Sequence, residues 1–179
     1  MAKNVLVISS SPRKDGNSET LCKQFAKGAE EAGHKVELLS IRDKKIGYCV
    51  GCRACAETAK CVQKDDMAEI LDKMMAADVI VLSTPVYFYT MSAQLKTLID
   101  RTVPVYTQMA DKKFYYIVTA WDPDKAMLQK TIDSLRGFTM DCLPNAEELG
   151  ILYGGGAFDL GDVEKLPVMQ EAYEAGKAL

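Results

Sequence analysis

The sequence predicts an α/β domain in which a five-stranded parallel sheet lies between two layers of helices. Two observations carry this prediction. Short apolar runs alternate along the chain with amphipathic stretches of helical spacing. No Pro/Gly/Ser-rich linker and no internal repeat interrupts the alternation, so we expect one domain over residues 1–179.

The predicted strands are apolar runs rich in β-branched residues, as expected for strands that are buried on both faces of a parallel sheet. The clearest example is the run KNVLVIS near the start of the chain. A weaker pattern, ELGIL, supplies the last strand. The five predicted strands are Lys3–Ser9, Lys35–Ile41, Ala77–Thr84, Lys113–Ala120 and Glu148–Leu152.

The predicted helices follow from apolar residues at helical spacing between these strands. In the first helix Leu21, Phe25 and Ala29 lie on one face, and Gly33 ends the pattern. The five predicted helices are Asn17–Ala32, Asp66–Ala76, Ser92–Arg101, Asp124–Gly137 and Val168–Leu179.

Composition excludes several classes of function. The formal net charge of −3 argues against a nucleic-acid partner, because phosphate neutralisation needs a basic surface. No apolar run approaches the roughly 20 residues that span a bilayer, and Met1 leads straight into a strand with no room for a signal peptide. We therefore expect a cytoplasmic protein with reduced thiols and no membrane partner. The single histidine, His34, follows a helix end and is interpreted as structural.

The loop after the first strand has the composition of an anion site. Its sequence, SSSPRKDGNSETL, places small polar residues and one arginine directly before a helix, whose N-terminus offers free N–H groups. It lacks both the dinucleotide and the P-loop glycine patterns, so it suits a monophosphate. The alternative is an ordinary polar loop with a helix cap. The candidate phosphate ligands are Ser9, Ser11, Arg13, Asn17 and Ser18.

The loop after the third strand, STPVYFYTMS, is rich in aromatic residues where a strand would normally turn polar. Aromatic side chains at a binding crevice stack on planar rings, although periodicity alone does not separate such a wall from core packing. The candidate wall residues are Thr84, Pro85, Val86, Tyr87, Phe88 and Tyr89. The loop after the fourth strand contributes Trp121, which we interpret as a packing residue.

Four of the six cysteines, Cys49, Cys52, Cys55 and Cys61, lie within a segment of C-x2-C-x2-C-x5-C spacing. Such compact spacing is typical of an iron–sulfur cluster, and zinc is the rival because four-cysteine zinc sites exist. A metal-free set of thiols is a further alternative. The remaining two cysteines, Cys22 and Cys142, stand alone and are expected to be buried.

These motifs resemble those of a known family. The stretches ISSSPRKDGNSETL and STPVYF…S…LK…IDR, and the ending GD…P…EAY…GK.L, are similar to those of the flavodoxin-like NADPH-dependent FMN reductase superfamily. The pattern C.GC..C…C…DDM, from Cys49 to Met67 and including most of a cysteine-rich loop over residues 47–65, resembles its iron–sulfur flavoprotein branch. Relatives usually have Gly at position 10, Thr at 18 and Ser at 84, where this chain has Ser10, Ser18 and Thr84.

The resemblance implies a flavodoxin-like three-layer sandwich that binds FMN, with one [4Fe-4S] cluster held by the four cysteines. It implies a redox protein that transfers electrons through the cluster to FMN and on to a small-molecule acceptor. The donor would be a ferredoxin-type partner or NAD(P)H, and the assembly a homodimer or tetramer. The alternative is an NAD(P)H-dependent FMN or quinone reductase without a cluster. No side chain stands out as an acid–base catalyst.

Overall fold

The computed structural model describes residues 1–179 and confirms the predicted flavodoxin-like α/β fold. Five strands are parallel in the order β2-β1-β3-β5-β6, and the two-residue β4 pairs antiparallel with β3. The strands are β1 (Asn4–Ser9), β2 (Lys35–Ser40), β3 (Val79–Tyr87), β4 (Thr90–Met91), β5 (Lys113–Ala120) and β6 (Glu147–Gly155).

Six helices connect and cover these strands. They are α1 (Asn17–Glu31), α2 (Cys55–Thr58), α3 (Met67–Ala76), α4 (Ala93–Asp100), α5 (Lys125–Cys142) and α6 (Val168–Lys177). Short 3-10 turns lie at Ile41–Asp43, Tyr106–Gln108 and Asp162–Lys165. None of the helices combines the length and apolarity that crossing a membrane would require.

The two faces of the sheet bury separate apolar cores. On one face, side chains such as Leu6, Ile8 and Leu82 join a cluster of 24 buried residues with α3, α4 and α5. On the other, Val5 and Val7 join a cluster of 14 buried residues with α1 and α6. Because successive strand residues point to opposite faces, the apolar run of β1 supplies both cores. This explains why the predicted strands are continuous apolar runs: both faces of the sheet are buried.

Besides β6, which ends at Gly155 instead of Leu152, two elements end later than the sequence predicts. Strand β3 continues past Thr84 to Tyr87, with Pro85 opposite Thr119 of β5. Pairing between β1 and β3 ends at Ser83. Proline has no backbone N–H to donate, and Pro85 is tolerated because β1 has no residue paired opposite it. Helix α5 continues past Gly137 because Phe138 and Thr139 are buried in the following turn. Tertiary packing therefore overrides the local stop signals at both places.

Close approach of α1 and α6 requires glycine at their contact. An added Cβ on Gly28 would fall deep inside van der Waals distance of the Tyr173 carbonyl oxygen. An added Cβ on Gly176 would overlap the Phe25 carbonyl oxygen in the same way. These two glycines set how closely the helices pack on this face of the sheet.

We expect Gly176→Ala to lower the free energy of unfolding by about 1–3 kcal/mol, because the backbones of α1 and α6 must separate to admit the methyl group. The matched control is Gly137→Ala, where an added Cβ meets nothing within 4 Å inside a helix. That variant should be up to about 1 kcal/mol more stable, because Ala is the better helix former. Urea unfolding of both variants checks this, and equal midpoints would contradict it.

Candidate functional site

The loops that follow β1, β3 and β5 meet at one edge of the sheet. The chain runs from β1 outward to β2 and then crosses back to β3 on the other side of β1. This reversal is the switch point at which parallel α/β sheets bind ligands, beyond the carboxyl ends of the strands. A cleft opens there, and its lining includes residues of the first and second candidate loops and of the loop after β5.

Buried hydroxyl groups join these strand ends beneath the cleft. The Ser10 hydroxyl donates to the Ser83 carbonyl oxygen at 2.8 Å and accepts from the Ser92 hydroxyl at 3.0 Å. Thr84 accepts from the Ser92 N–H at 2.9 Å. Ser10, Thr84 and Ser92 therefore each have a partner at the end of a neighbouring strand or helix, which fixes the loops relative to one another.

The phosphate-loop residues form a tight turn that leads into α1. The Ser11 hydroxyl accepts from the Arg13 N–H at 3.2 Å, and a Cβ on Gly16 would lie 2.5 Å from the Ser11 oxygen. Gly16 precedes α1, and no side chain caps this helix N-terminus. The first-turn N–H groups of a helix have no intrahelical acceptors, so they are free for an anion in the cleft.

Asn17 and Ser18 tie the start of α1 to two other loops. The Asn17 amide donates to the Asp159 carbonyl oxygen at 2.9 Å and accepts from the Val163 N–H at 3.3 Å. The Ser18 and Thr119 hydroxyls lie 2.6 Å apart. These contacts position both side chains at the cleft, because each is held by an element that the sheet fixes.

A carboxylate braces the same loop from below. Glu19 is buried in the first turn of α1 and accepts from the Asp15 N–H at 2.8 Å. Its charge is balanced by Arg42, which lies 3.1 Å away and also donates to the Arg13 carbonyl oxygen at 3.1 Å. Arg13 itself donates to the Phe158 carbonyl oxygen at 2.9 Å, so its cation stays at the cleft.

The cleft contains most of the candidate residues from both loops. Ser11, Arg13, Asn17 and Ser18 line it, together with Pro85, Val86 and Tyr87. Ser9 and Thr84 are fully buried beneath it rather than in its wall, and the Ser9 hydroxyl has no hydrogen-bond partner. The cleft volume is about 150 Å³, below the roughly 300 Å³ at which cofactor pockets begin. A planar ring would therefore extend over its open mouth.

Phe88 and Tyr89 turn away from the cleft. They form the two-residue loop between β3 and β4, with φ angles of 49° and 65°. Positive φ at both positions is the type I′ geometry, which Asn and Gly normally fill, and bulky residues there are strained. Phe88 is 99% exposed and lines an apolar groove of about 990 Å³ between this hairpin, α4 and α5. Strain of this kind is concentrated at functional sites.

The four clustered cysteines lie in the segment 47–65, which we call the cysteine loop. It has little regular structure apart from the short helix α2, which begins at Cys55. Cys49, Cys52, Cys55 and Cys61 all line one cavity of about 170 Å³. No three of these side chains meet closely enough to hold a single metal ion. Their thiols surround a space instead of converging on a point.

Arg101 closes this loop from the end of α4. One guanidinium nitrogen donates to the Asp65 carboxylate at 2.6 Å and to the Gly47 carbonyl oxygen at 2.5 Å, and the other donates to Asp65 at 2.9 Å. Asp65 also accepts from the Gly47 N–H at 3.0 Å. We call this three-residue arrangement the clasp. The Arg101 side chain is 1% exposed, so the ion pair is shielded from water.

Comparison with known proteins agrees with this geometry. The family model described as NADPH-dependent FMN reductase matches residues 3–147. The chain belongs to this family. It is 46% identical over 101 residues to an iron-sulfur flavoprotein of Methanocaldococcus jannaschii, covering 56% of this chain and 52% of the relative. It is 42% identical over 97 residues to an iron-sulfur flavoprotein of Archaeoglobus fulgidus, covering 54% of this chain and 44% of that protein. The chain thus spans about half the length of the curated relatives it matches.

Among solved structures, the fold is similar to that of an NAD(P)H:quinone oxidoreductase from Methanothermobacter marburgensis. The TM-score is 0.75 at 18% sequence identity, and the match covers 99% of this chain and 98% of that chain. At this identity the likeness concerns the fold alone.

The cleft of this FMN reductase family member fits the phosphate end of a flavin mononucleotide. The uncapped start of α1 supplies free donors, and Arg13 supplies a cation beside them. All four cysteines of the loop line one cavity, and an iron–sulfur cluster would take one thiolate at each of its irons. Soft thiol donors alone suit zinc or iron–sulfur chemistry.

Six residues that line the cleft were missed or misjudged from sequence: Gly16, Thr119, Ala120, Trp121, Ala157 and Phe158. Trp121, interpreted as a packing residue, is 73% exposed and lines the cleft mouth. Thr119 and Phe158 also line it, although neither was a candidate. Thr119 is the penultimate residue of the fourth predicted strand and could have been found from that position, whereas Phe158 lies in the loop after β6 and has no local signal. Cys142, expected to be buried, is exposed at the end of α5.

The clasp should be sensitive to acid in a narrow window. The Arg101 guanidinium, with the Gly47 and Met67 N–H groups, lowers the pKa of Asp65 from 3.8 to about 2. Since the folded-state pKa lies below the ordinary value, the clasp contributes stability above about pH 4 and loses it as pH falls through about 2. The amide proton shift of Gly47, followed by NMR from pH 5 to pH 1.5, should titrate near pH 2. Titration near 3.8 would contradict the ion pair.

Proposed function

We propose that this chain is a flavin-dependent oxidoreductase of one flavodoxin-like domain over residues 1–179. It would hold FMN in the cleft and a [4Fe-4S] cluster in the cysteine cavity, and move electrons from a donor to a small-molecule acceptor. The observation that carries the proposal is the pairing of two separate built sites. Four thiols line one cavity, and an uncapped helix N-terminus with Arg13 lines another. When bound, the cluster supplies one-electron transfer and FMN couples one- to two-electron steps.

Each group of residues has a separate task. Ser11, Arg13, Asn17 and Ser18 would bind the phosphate through hydroxyl, amide and guanidinium donors. Pro85, Val86 and Tyr87 would line the ring, with Trp121 covering the open mouth. Ser9, Thr84, Phe88 and Tyr89 would act from outside the cleft, by supporting the strand ends and the hairpin. Cys49, Cys52, Cys55 and Cys61 would ligate the cluster.

The donor is proposed as a ferredoxin-type protein or NAD(P)H. All six cysteines are free thiols, which fits the reducing cytoplasm that we propose for this protein. A second candidate function is NAD(P)H-dependent reduction of FMN or a quinone without a cluster. The name of the family model and the quinone oxidoreductase of similar fold favour it. It requires no role for the four cysteines.

We also propose that the protein is a homodimer or a tetramer. The exposed Phe88 side chain projects beside the apolar groove, and Val103 and Tyr106 form part of the groove lining. An apolar projection next to an apolar recess is self-complementary across a two-fold axis. The groove shares Tyr87 with the cleft and Asp100 with the cysteine cavity, so a second copy would lie against both sites.

Phe88→Asp should shift the protein toward the monomer, because it places a charge in the apolar contact. Analytical ultracentrifugation of the anaerobic protein measures the shift, with Leu38→Asp as a control at another exposed apolar residue. A wild-type protein that is monomeric in this measurement would contradict the proposed dimer or tetramer.

The cluster is tested by anaerobic purification or reconstitution with iron and sulfide. We expect about four irons per wild-type chain together with a flavin absorption spectrum. Cys52→Ser should lose most of the iron. Cys142→Ser, which replaces an exposed cysteine outside the cysteine loop, should keep it. Full reduction of the flavin by NADPH in Cys52→Ser, at the wild-type rate, would favour the reductase without a cluster.

The phosphate site is tested by a matched pair of substitutions in one loop. Arg13→Ala should weaken FMN binding roughly 10- to 100-fold, because a hydrogen bond to a charged group contributes about 1.5–3 kcal/mol. Lys14→Ala removes the same charge from the neighbouring residue, which does not line the cleft, and should change affinity no more than about twofold. Quenching of FMN fluorescence on titration with flavin-free protein gives both values, and equal losses would place the phosphate elsewhere.

A further inference from the structure

Arg101 has a buried donor that the fold itself does not use. It is the largest fully buried side chain of the protein. Its two terminal nitrogens donate to Asp65, Gly47 and Gln63. Its Nε atom, in contrast, is buried with no hydrogen-bond partner. A buried unsatisfied donor costs about 1–3 kcal/mol, and more when charged, so such a group calls for an acceptor.

The cavity beside Arg101 is the one that the cysteines line. Arg101 forms part of its wall together with all four candidate ligands. Cys61 lines this cavity two residues before Gln63, whose side-chain oxygen accepts from Arg101 at 3.2 Å. Once a cluster is bound, the thiolate sulfur of Cys61 is therefore the acceptor that we assign to the free Nε–H in this cavity.

The same guanidinium joins the two ends of the cysteine loop. Gly47 is its first residue and Asp65 its last, and Arg101 donates to both. Gln63, which accepts from Arg101 at 3.2 Å, donates in turn to the Tyr48 carbonyl oxygen at 3.0 Å. Asp65 also accepts from the Met67 N–H at 3.1 Å at the start of α3. The loop is thus anchored where it leaves and where it rejoins the fold.

Because its positive charge is already balanced, Arg101 can offer the cavity only a hydrogen bond. Its positive charge is already paired with Asp65 at 2.6 Å. The other charged residue of the lining on the same helix, Asp100, is paired with Lys96 at 2.5 Å. What remains for the cavity is a directed hydrogen bond from Nε, not a net charge. Lysine could replace the charge of Arg101 but not this fork of donors.

We propose that Arg101 is a positioning residue for the cluster: it holds the cysteine loop closed through Gly47 and Asp65, and it donates its Nε–H to the thiolate sulfur of Cys61. The second part rests on the proposed function. A hydrogen bond to a ligating sulfur stabilises the more reduced state, because that state places more negative charge on sulfur, and it therefore raises the reduction potential.

The first experiment measures the midpoint potential of the reconstituted cluster by anaerobic spectroelectrochemistry. Arg101→Lys should lower it by the equivalent of about tenfold in the reduction equilibrium, or about 59 mV for one electron. Asp65→Asn should raise it instead, because the Arg101 charge is then no longer neutralised. A merely structural role would move both variants in the same direction. The control is Arg136→Lys, at a bidentate pair with Glu148 remote from both sites, and it should not shift.

The second experiment uses the metal-free chain, so it does not depend on the cluster. Trypsin should cut at Arg53 and Lys60 in the cysteine loop at least tenfold faster in Arg101→Lys and Asp65→Asn than in the wild type. Arg136→Lys should be cut at the wild-type rate. Equal rates in all four proteins would overturn the closure of the loop by Arg101.

The outcomes separate this proposal from the proposed function. A wild-type chain that takes up no iron overturns the cluster and, with it, the hydrogen bond from Nε, while the proteolysis still decides the closure. Full iron content with unshifted potentials in both variants overturns the hydrogen bond alone. If Arg101→Lys does not fold, Arg101→Met, which also lacks the Nε donor, replaces it in both experiments, and an unshifted potential in that variant overturns the hydrogen bond.

Discussion

The structure depends on the meeting of three parallel strand ends at one edge of the sheet. Beyond Ser9, Tyr87 and Ala120 the backbone leaves the sheet, and its polar groups must find new partners. The Ser10 hydroxyl donates to the Ser83 carbonyl oxygen and accepts from the Ser92 hydroxyl, and the Ser83 hydroxyl donates to the Ser18 carbonyl oxygen. The Ser18 hydroxyl in turn pairs with Thr119. These buried bonds fix the strand ends, so the loops above them can keep their own donors free.

The two candidate sites are built by opposite strategies. The cleft uses backbone donors at the start of the 15-residue helix α1, which Asn17, Ser18 and Glu19 tie to the neighbouring loops. The cysteine loop has almost no regular structure, so its shape depends on side-chain contacts at its ends. The buried ion pair of Arg101 and Asp65 supplies these contacts. An ion pair of this kind contributes chiefly to conformational specificity, because it selects one conformation of the loop. The apolar groove shares lining residues with both sites.

The sequence predicted the sheet, its five parallel strands and the first loop well, because apolar period and composition reflect burial directly. The sequence was less informative at the loop after the third predicted strand, where STPVYFY was interpreted as one aromatic wall. In the structure Pro85 to Tyr87 face the cleft, whereas in the strained turn Phe88 lines the groove and Tyr89 lies under the Lys130 ammonium. The exposure of Trp121 was not predicted from the sequence either, because the exposure of a single aromatic residue depends on loops from distant parts of the chain.

The sequence by itself determined the fold class, the family and the identity of the clustered thiols, since these depend on local patterns and on spacing along the chain. Only the tertiary structure decided which residues share a wall. Arg101 illustrates the difference: in sequence it ends an ordinary amphipathic helix, 36 residues beyond Asp65. Its pairing with the two ends of the cysteine loop, and its unpaired Nε, arise because α4 packs beneath that loop. Contacts between distant segments leave no trace in local periodicity, so they had to be seen in the folded chain.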